Sequence, residues 1–420
     1  MRSQCVESAS SHQPAMTTRA ARFFGSLPPV WNCRQVSEIT KRVTVGIVIN
    51  PSRWYAQTGV PAFRSQNVRE GAVNDNGWVY LTEEGNALHS KSITREGDVL
   101  VVRSGAPGTA CVVPGSFAGY NCIDLVIVRP DNDLVLSEFL CEFINSDVGK
   151  RQVAEMQGGL ALQHFNVSEC AKLWCPVPPK AEQRRIVAVL SAWDRGIGAM
   201  ERLVALKTRR KRALMQQLLT GKRRFPEFSE PWKTYRLGDV FKERNEADRP
   251  ELRLLSITAD RGVIDRTEIE RKDTSNVDKS RYKRLAPGDI GYNTMRMWQG
   301  VSALSTLEGI VSPAYTVVLP GPKVCAEYVA YFFKFTPMVH LFYRYSQGLV
   351  DDTRNLKFKH FAEIKVQLPE VEEQQRIAAV LRTCDDEIDL LTSQLDALRQ
   401  QKKGLMQKLL TGEVRVKEEG

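Results

Sequence analysis

No two cysteines of this chain stand in a CxxC pair, and the nine that occur, at 5, 33, 111, 122, 141, 170, 175, 325 and 384, are odd in number. This excludes a zinc ribbon and offers no disulfide framework, so the expected compartment is a reducing cytoplasm. His164, Cys170 and Cys175 lie near one another in sequence but lack the paired spacing of a structural zinc site, and they read as buried thiols beside a histidine. No apolar run of about 18 residues occurs and the N-terminus lacks the apolar core of a secretion signal, so no membrane partner is expected. The GxxxxGK[ST] phosphate loop is missing as well.

What the chain does have is length and positive charge. Its 420 residues, 42% of them hydrophobic, suffice for two or three domains with cores of their own. Lys and Arg number 59 against 49 Asp and Glu, a net charge of +10, which favours a polyanionic partner such as nucleic acid. Residues 1–30, rich in Ser, Thr, Ala and Arg with one acidic residue, have the composition of an organellar transit peptide, but the preferred reading is a disordered leader translated ahead of a start at Met16.

The stretch "LMQQLLTG" (Leu214 to Gly221) returns as "LMQKLLTG" (Leu405 to Gly412), a shift of 191 residues. At that shift 17 of the 40 positions from Glu182 to Gly221 are identical without a gap. Gly97-Asp98 falls on Gly288-Asp289, "VPP" at Val177 falls on "LPE" at Leu368, and Trp31 and Trp232 open the two copies at a slightly different offset. Each copy is a variable block followed by a helical block. The variable blocks carry short Val-, Ile- and Tyr-rich runs punctuated by Gly, Pro, Asn and Asp, then helical segments, the pattern of compact α+β domains.

In the second helical block Ile388, Leu391, Leu395, Leu398, Leu405 and Leu409 keep alternating three- and four-residue steps with Lys402 in the gap, and the first block carries Ile197, Met200, Val204, Leu214 and Leu218 at the aligned positions. Two matched amphipathic helices imply a coiled-coil seam between them. Gly221 and Gly412 suit the left-handed conformation that ends a helix, and Pro226 forbids continuation of the first. At ~1.5 Å per residue a helix from Glu182 to Thr220 runs roughly 58 Å. Antiparallel packing lets each variable block sit between one helix's end and the other's beginning. The expected molecule is a dumbbell with approximate two-fold symmetry: two globular α+β domains separated by a long antiparallel two-helix coiled coil. The expected boundaries are a leader at 1–30, a first domain at 31–178, a helical spacer at 179–225, a second domain at 226–369, a second helical spacer at 370–416 and a tail at 417–420. A rigid spacer with a diverged domain at each end suits an asymmetric, split DNA target.

Pro178-Pro179, Glu182-Gln183, Arg185-Ile186 and Asp194 ahead of "LMQQLLTG", repeated as Pro369, Glu373-Gln374, Arg376-Ile377 and Asp385 ahead of "LMQKLLTG", give the chain from about Trp31 to Val416 a close resemblance to the specificity subunit of type I restriction-modification systems. The resemblance implies a non-catalytic DNA-recognition subunit in which each variable block is a target recognition domain for one half of a split site in double-stranded DNA, and the coiled coil sets the unread gap. It also implies two modification subunits that carry S-adenosylmethionine and methylate adenine at N6, and two ATP-driven restriction subunits, with ATP and Mg2+ on the partners and no cofactor on this chain. The Asn/Asp-Pro-Pro-aromatic loop of adenine methyltransferases is absent, and "NPS" at Asn50 reads as a turn. Asp265 with Glu270 and Lys272 echoes a nuclease metal site at too short a spacing.

Base readout calls for Arg, Asn, Gln and Asp on turns held by a rigid sheet. In the first domain the candidates are Arg53, Trp54, Arg64, Gln66, Asn67, Arg103 and Ser104, with core packing of Trp54 and Tyr55 as the competing reading. In the second, "YNTMRMWQG" supplies Asn293, Arg296, Trp298 and Gln299, and "RYSQGLVDDTRN" supplies Arg344, Gln347, Arg354 and Asn355. Gly97-Asp98 and Gly288-Asp289 read as structural turns. The run "KTRRKR" (Lys207 to Arg212) is a solvated helix face or a grip for phosphates or an acidic partner. Two further readings stand beside this one: the recognition part of a restriction architecture with a fused methyltransferase-nuclease, and a coiled-coil adaptor that binds no DNA.

Overall fold

The computed structural model describes residues 18–49, 51–157, 164–269 and 278–416. Asn50, Glu270, Lys272, the leader through residue 17 with Met16, and the tail at 417–420 lie outside the described residues. The chain divides into two compact units, one of Met1–Ala199 with Gln394–Gly420, the other of Met200–Ser393.

In the first unit a four-stranded antiparallel sheet runs in the order Thr40–Val45, Leu125–Pro130, Val99–Val102, Ala110–Val112. The Val99–Val102 strand is buried at all four residues because both its faces are covered. Val99 and Val101 join the core beneath helices Ser137–Asn145 and Asp147–Met156, whereas Leu100 and Val102 join a second core with Phe63, Cys111 and Ile127. That second core is closed by an aromatic cluster of Phe63, Trp78, Phe117 and Tyr120. A two-stranded ribbon pairs Asn32–Gln35 with Trp174–Val177. Burial pushes the thiols of Cys111 and Cys170 up to about 12, which leaves them protonated. No grouping of His, Cys, Asp and Glu suited to a metal ion occurs among the described residues, and no helix there is long and apolar enough to cross a membrane.

The second unit repeats this frame. Its four-stranded sheet has the order Phe241–Glu243, Tyr315–Pro320, Ile290–Asn293, Ser302–Leu304, and its ribbon pairs Lys233–Arg236 with Lys365–Leu368. The Gly-Asp turns are structural in both units: Gly97 and Gly288 have φ of +80° and +90°, and each aspartate is held by a bidentate arginine, Asp98 by Arg129 and Asp289 by Arg244.

The long helices are Lys180–Leu218 and Val371–Thr411. In the first unit Glu182 accepts from Arg415 and Asp194 from Lys402, so the start of one helix lies beside the end of the other. In the second unit Glu373 accepts from Arg224 and Asp385 from Lys211, the same antiparallel order with every residue moved by 191. Gln183 and Gln374 repeat the symmetry, since each amide bonds three backbone groups of its own unit. Both helices end in left-handed glycines, Gly221 and Gly412, behind which Arg223 N and Val414 N bond back to the carbonyls of Gln217 and Lys408. Leu218, Leu395 and Leu409 are buried, and Ile197, Met200, Val204, Leu214, Ile388, Leu391, Leu398 and Leu405 are half-buried. The lysines that dilute the seam carry partners, Lys207 with Glu387, Lys211 with Asp385 and Lys402 with Asp194.

The leader expected to be disordered over residues 1–30 is corrected in its described part. Thr18–Phe24 forms a helix, and Phe24 is buried in the first core against Phe143, where its apolar surface leaves water.

Candidate nucleic-acid interface

In the second unit the sheet strand Ile290–Asn293 delivers the chain into a turn whose Gly300 takes φ of +80°. Asn293 Oδ1 accepts from Met295 N, and Trp298 Nε1 donates to the carbonyl of Met295, so the turn is fixed by its own side chains. Arg296 and Gln299 are exposed. Beside it, helix Thr336–Tyr345 ends in a second loop, closed where Gln347 and Asn355 exchange backbone hydrogen bonds at 2.8 Å each way. Leu356 N donates to Thr294 O at 2.9 Å and ties the two loops together. Tyr343 links them again, its ring 6.1 Å from that of Trp298 and its hydroxyl accepting from Arg354.

Arg344 and Gln347 are exposed beside this pair of loops. The guanidinium of Arg354 lies 4.0 Å over Tyr343 and bonds Asp351, and the Asn355 amide bonds the carbonyls of Gln347 and Thr353, so these two brace the loop. Tyr343 was not among the sequence candidates. The available signal was its position off the buried Met338 and Phe342 face of its helix.

The first unit carries a related arrangement. Phe165 N donates to Arg103 O at 3.0 Å, and both positions stand 191 residues before the Leu356 and Thr294 of the equivalent bond. Arg103 is nearly enclosed, bonding Asp124, Phe165 O and Asn166, while Ser104 bonds His164. A separate group comes from the segment at 53–67, whose small four-stranded sheet has no four-stranded counterpart among the described residues of the second unit. Arg53 is exposed and its guanidinium lies 4.9 Å over the ring of Trp54, which is half-buried against Gly85; Tyr55 is exposed. Arg64 and Gln66 both donate to Gly77 O. Asn67 is corrected from reader to brace: it is fully buried, its Oδ1 accepts from Arg64 N and its Nδ2 donates to the carbonyls of Asn74 and Asn76. A side chain so enclosed offers no edge to a base. In "KTRRKR", Lys207 and Lys211 turn to the ion pairs above, whereas Arg209, Arg210 and Arg212 are exposed.

Residues 229–400 match the model of a family described as the type I restriction modification DNA specificity domain. The putative type I restriction enzyme MjaX specificity subunit of Methanocaldococcus jannaschii is 22% identical over 438 residues, covering 94% of this chain and 96% of that protein. Over most of its length the chain is similar to type I specificity subunits. The EcoKI specificity subunit of Escherichia coli is 21% identical over 313 residues, 67% of this chain and 65% of that protein. Among solved structures, the HsdS subunit from Thermoanaerobacter tengcongensis is similar in fold with a TM-score of 0.50 at 20% identity, covering 92% of this chain and 98% of that one. A chain from a study of complex assembly and conformational transition in the type I R-M system gives a TM-score of 0.60 at 19% identity, over 93% of this chain and 100% of its own. In this chain, the loop pairs on the repeated frame differ in sequence while the bonds that hold them correspond.

Proposed function

We propose that this chain is the specificity subunit, the DNA-reading component, of a type I restriction-modification complex, each unit contacting one half of a split, asymmetric site. The observation that carries the reading is the repeated latch, Phe165 to Arg103 and Leu356 to Thr294, beneath loops of unrelated sequence. A common frame with divergent loops suits two half-sites of different sequence. In the second unit Arg296, Gln299, Arg344 and Gln347 are the exposed groups able to make bidentate or phosphate contacts; in the first, Arg53, Gln66 and Ser104 stand nearest that role. The paired helices set the number of unread base pairs. Two modification subunits with S-adenosylmethionine methylate adenine at N6 on the site so chosen, and two restriction subunits use ATP and Mg2+ to cleave; this chain performs neither step.

Genome-wide adenine methylation in cells carrying the chain with its modification partner, against cells lacking the chain, tests the proposal. A split motif methylated on opposite strands in its two halves and lost without the chain is the expected result. Unchanged methylation, or a continuous palindrome, refutes it.

A further inference from the structure

The loop from Gln347 to Asn355 has an exposed apolar tip. Leu349 is 98% exposed and Val350 59%. An aliphatic side chain at this exposure has no packing in the free protein, yet the loop that carries it is braced throughout. Its ends exchange the two Gln347 and Asn355 backbone bonds, Thr353 N donates to Val350 O at 3.0 Å, and Arg354 joins Asp351 to the Tyr343 ring and hydroxyl. Gly348, at φ +132° with the backbone of Thr353 so close that a Cβ would overlap it, sets the sharp bend that leads into Leu349. The apolar tip is thus presented on a loop with little conformational freedom to lose on binding.

Its surroundings point to the occupant. Arg296 and Arg344 are exposed on the adjoining turn and helix end, and Trp298 and Tyr343 stand beside them. Exposed cations on the turn and helix end joined to the loop of a rigid apolar tip suit a surface that is anionic at its rim and apolar at its centre, which is what a stacked duplex offers once a base step opens. The carboxylates of Asp351 and Asp352 follow the tip directly; they would repel phosphates, but they can accept hydrogen bonds from the amino groups of cytosine or adenine in a groove.

We infer that Leu349 is a wedge which enters the base stack of the half-site bound by the second unit, with Val350 supporting it at the groove floor. The inference rests on the DNA-reading proposal above and deepens it: this unit distorts its half-site as well as contacting base edges, and selects for steps that unstack readily. The wedge is separate from any extrusion of the target adenine by a modification subunit.

The test uses the full chain assembled with its modification subunits and duplexes carrying 2-aminopurine at successive positions of both half-sites, excluding the methylated adenines. The expected result is a fluorescence rise on binding at one step of one half-site. Leu349→Ala abolishes the rise and weakens binding roughly tenfold, the scale of losing much of the burial of one leucine side chain; Leu349→Met retains both. Since Leu349 packs on nothing, these variants keep the fold, which circular dichroism checks. Site-specific binding by the wild type with no rise, or a rise unchanged in Leu349→Ala, overturns the wedge and leaves the DNA-reading proposal standing. A Leu349→Ala chain that no longer assembles with modification subunits in sedimentation also overturns it, in favour of a protein contact. Failure of the wild type to distinguish the split site from a scrambled duplex overturns the underlying reading itself.

Discussion

Replacing Glu373 by alanine removes the centre of a buried polar cluster. The carboxylate is fully buried and accepts from Arg224 Nε at 2.9 Å, Arg224 Nη2 at 2.8 Å and Trp232 Nε1 at 3.2 Å. Breaking a buried ion pair from one side typically costs about 3–5 kcal/mol, because the remaining charge loses its partner without regaining full hydration. The Arg224 side chain is 23% exposed and recovers part of that hydration, so the lower end, about 3 kcal/mol, applies. For a unit of this size 1 kcal/mol corresponds to ~2–4 °C, and the loss lowers the melting temperature of the second unit by roughly 6–12 °C. Scanning calorimetry of the full chain reads this directly. A shift below about 2 °C would refute the view that the cluster anchors the helix start. Glu373→Leu with Arg224→Met should recover most of the loss, since an apolar pair of similar volume needs no dehydrated charge.

Four further outcomes are expected. In the first unit burial raises the Glu182 carboxyl, but its hydrogen bonds from Arg415 and Trp31 outweigh this and hold it below its usual 4.5. A depressed carboxyl stabilises the folded state above its unfolded value and ceases to do so as pH falls through the folded one, so acid unfolding of Arg415→Met should begin at a higher pH than in the wild type. Asn67→Ala strands the carbonyls of Asn74 and Asn76 and should weaken DNA binding through the first unit while methylation of non-cognate DNA stays absent, measured by fluorescence anisotropy and a methyl-transfer assay. Lys402 also pairs with the enclosed Glu142 at 3.6 Å, so Lys402→Leu should lower chemical-denaturant stability more than Asp194→Leu, which removes only a half-exposed carboxylate. Inserting four residues before "LLTG" in one long helix adds ~5.4 Å and should widen the unread gap by about a base pair or more at ~3.4 Å per pair, as methylome sequencing would read; an unchanged gap counts against the helices as the ruler.

The repeat made the helices and their ends legible, because a 191-residue shift preserves the Glu-Gln pair, the aspartate, the seam lysine and the terminal glycine together. It also carries the Glu182 and Glu373 clusters, although only the structure reveals that Arg415 and Arg224 complete them from across the helix pair. Asn67 was misread because a polar residue in a Gly- and Asn-rich stretch can face water or satisfy backbone groups in a buried turn, and composition does not separate these. Leu349 escaped notice for the opposite reason. A leucine and a valine in "SQGLVDD" carry the ordinary signal of a core contact, and only the closing of the loop by Gln347 and Asn355 turns them outward. The helix at Thr18–Phe24 was hidden by the polar composition of the residues before it, with Phe23 and Phe24 as the one apolar hint.

The chain's last described turn has a consequence for the order of synthesis. Gly412 packs on Pro28 and Trp31, Met406, Leu409 and Leu410 lie in the first core, and Arg415 bonds Glu182. The first unit to be translated therefore waits for residues made at the end, whereas the second is built entirely from the continuous stretch Met200–Ser393. On the ribosome the second unit can finish folding first, holding a nascent partner whose core stays open until the final helix emerges. A premature stop a few codons before Arg415 would thus harm the N-terminal half of the protein and spare the half nearer the stop.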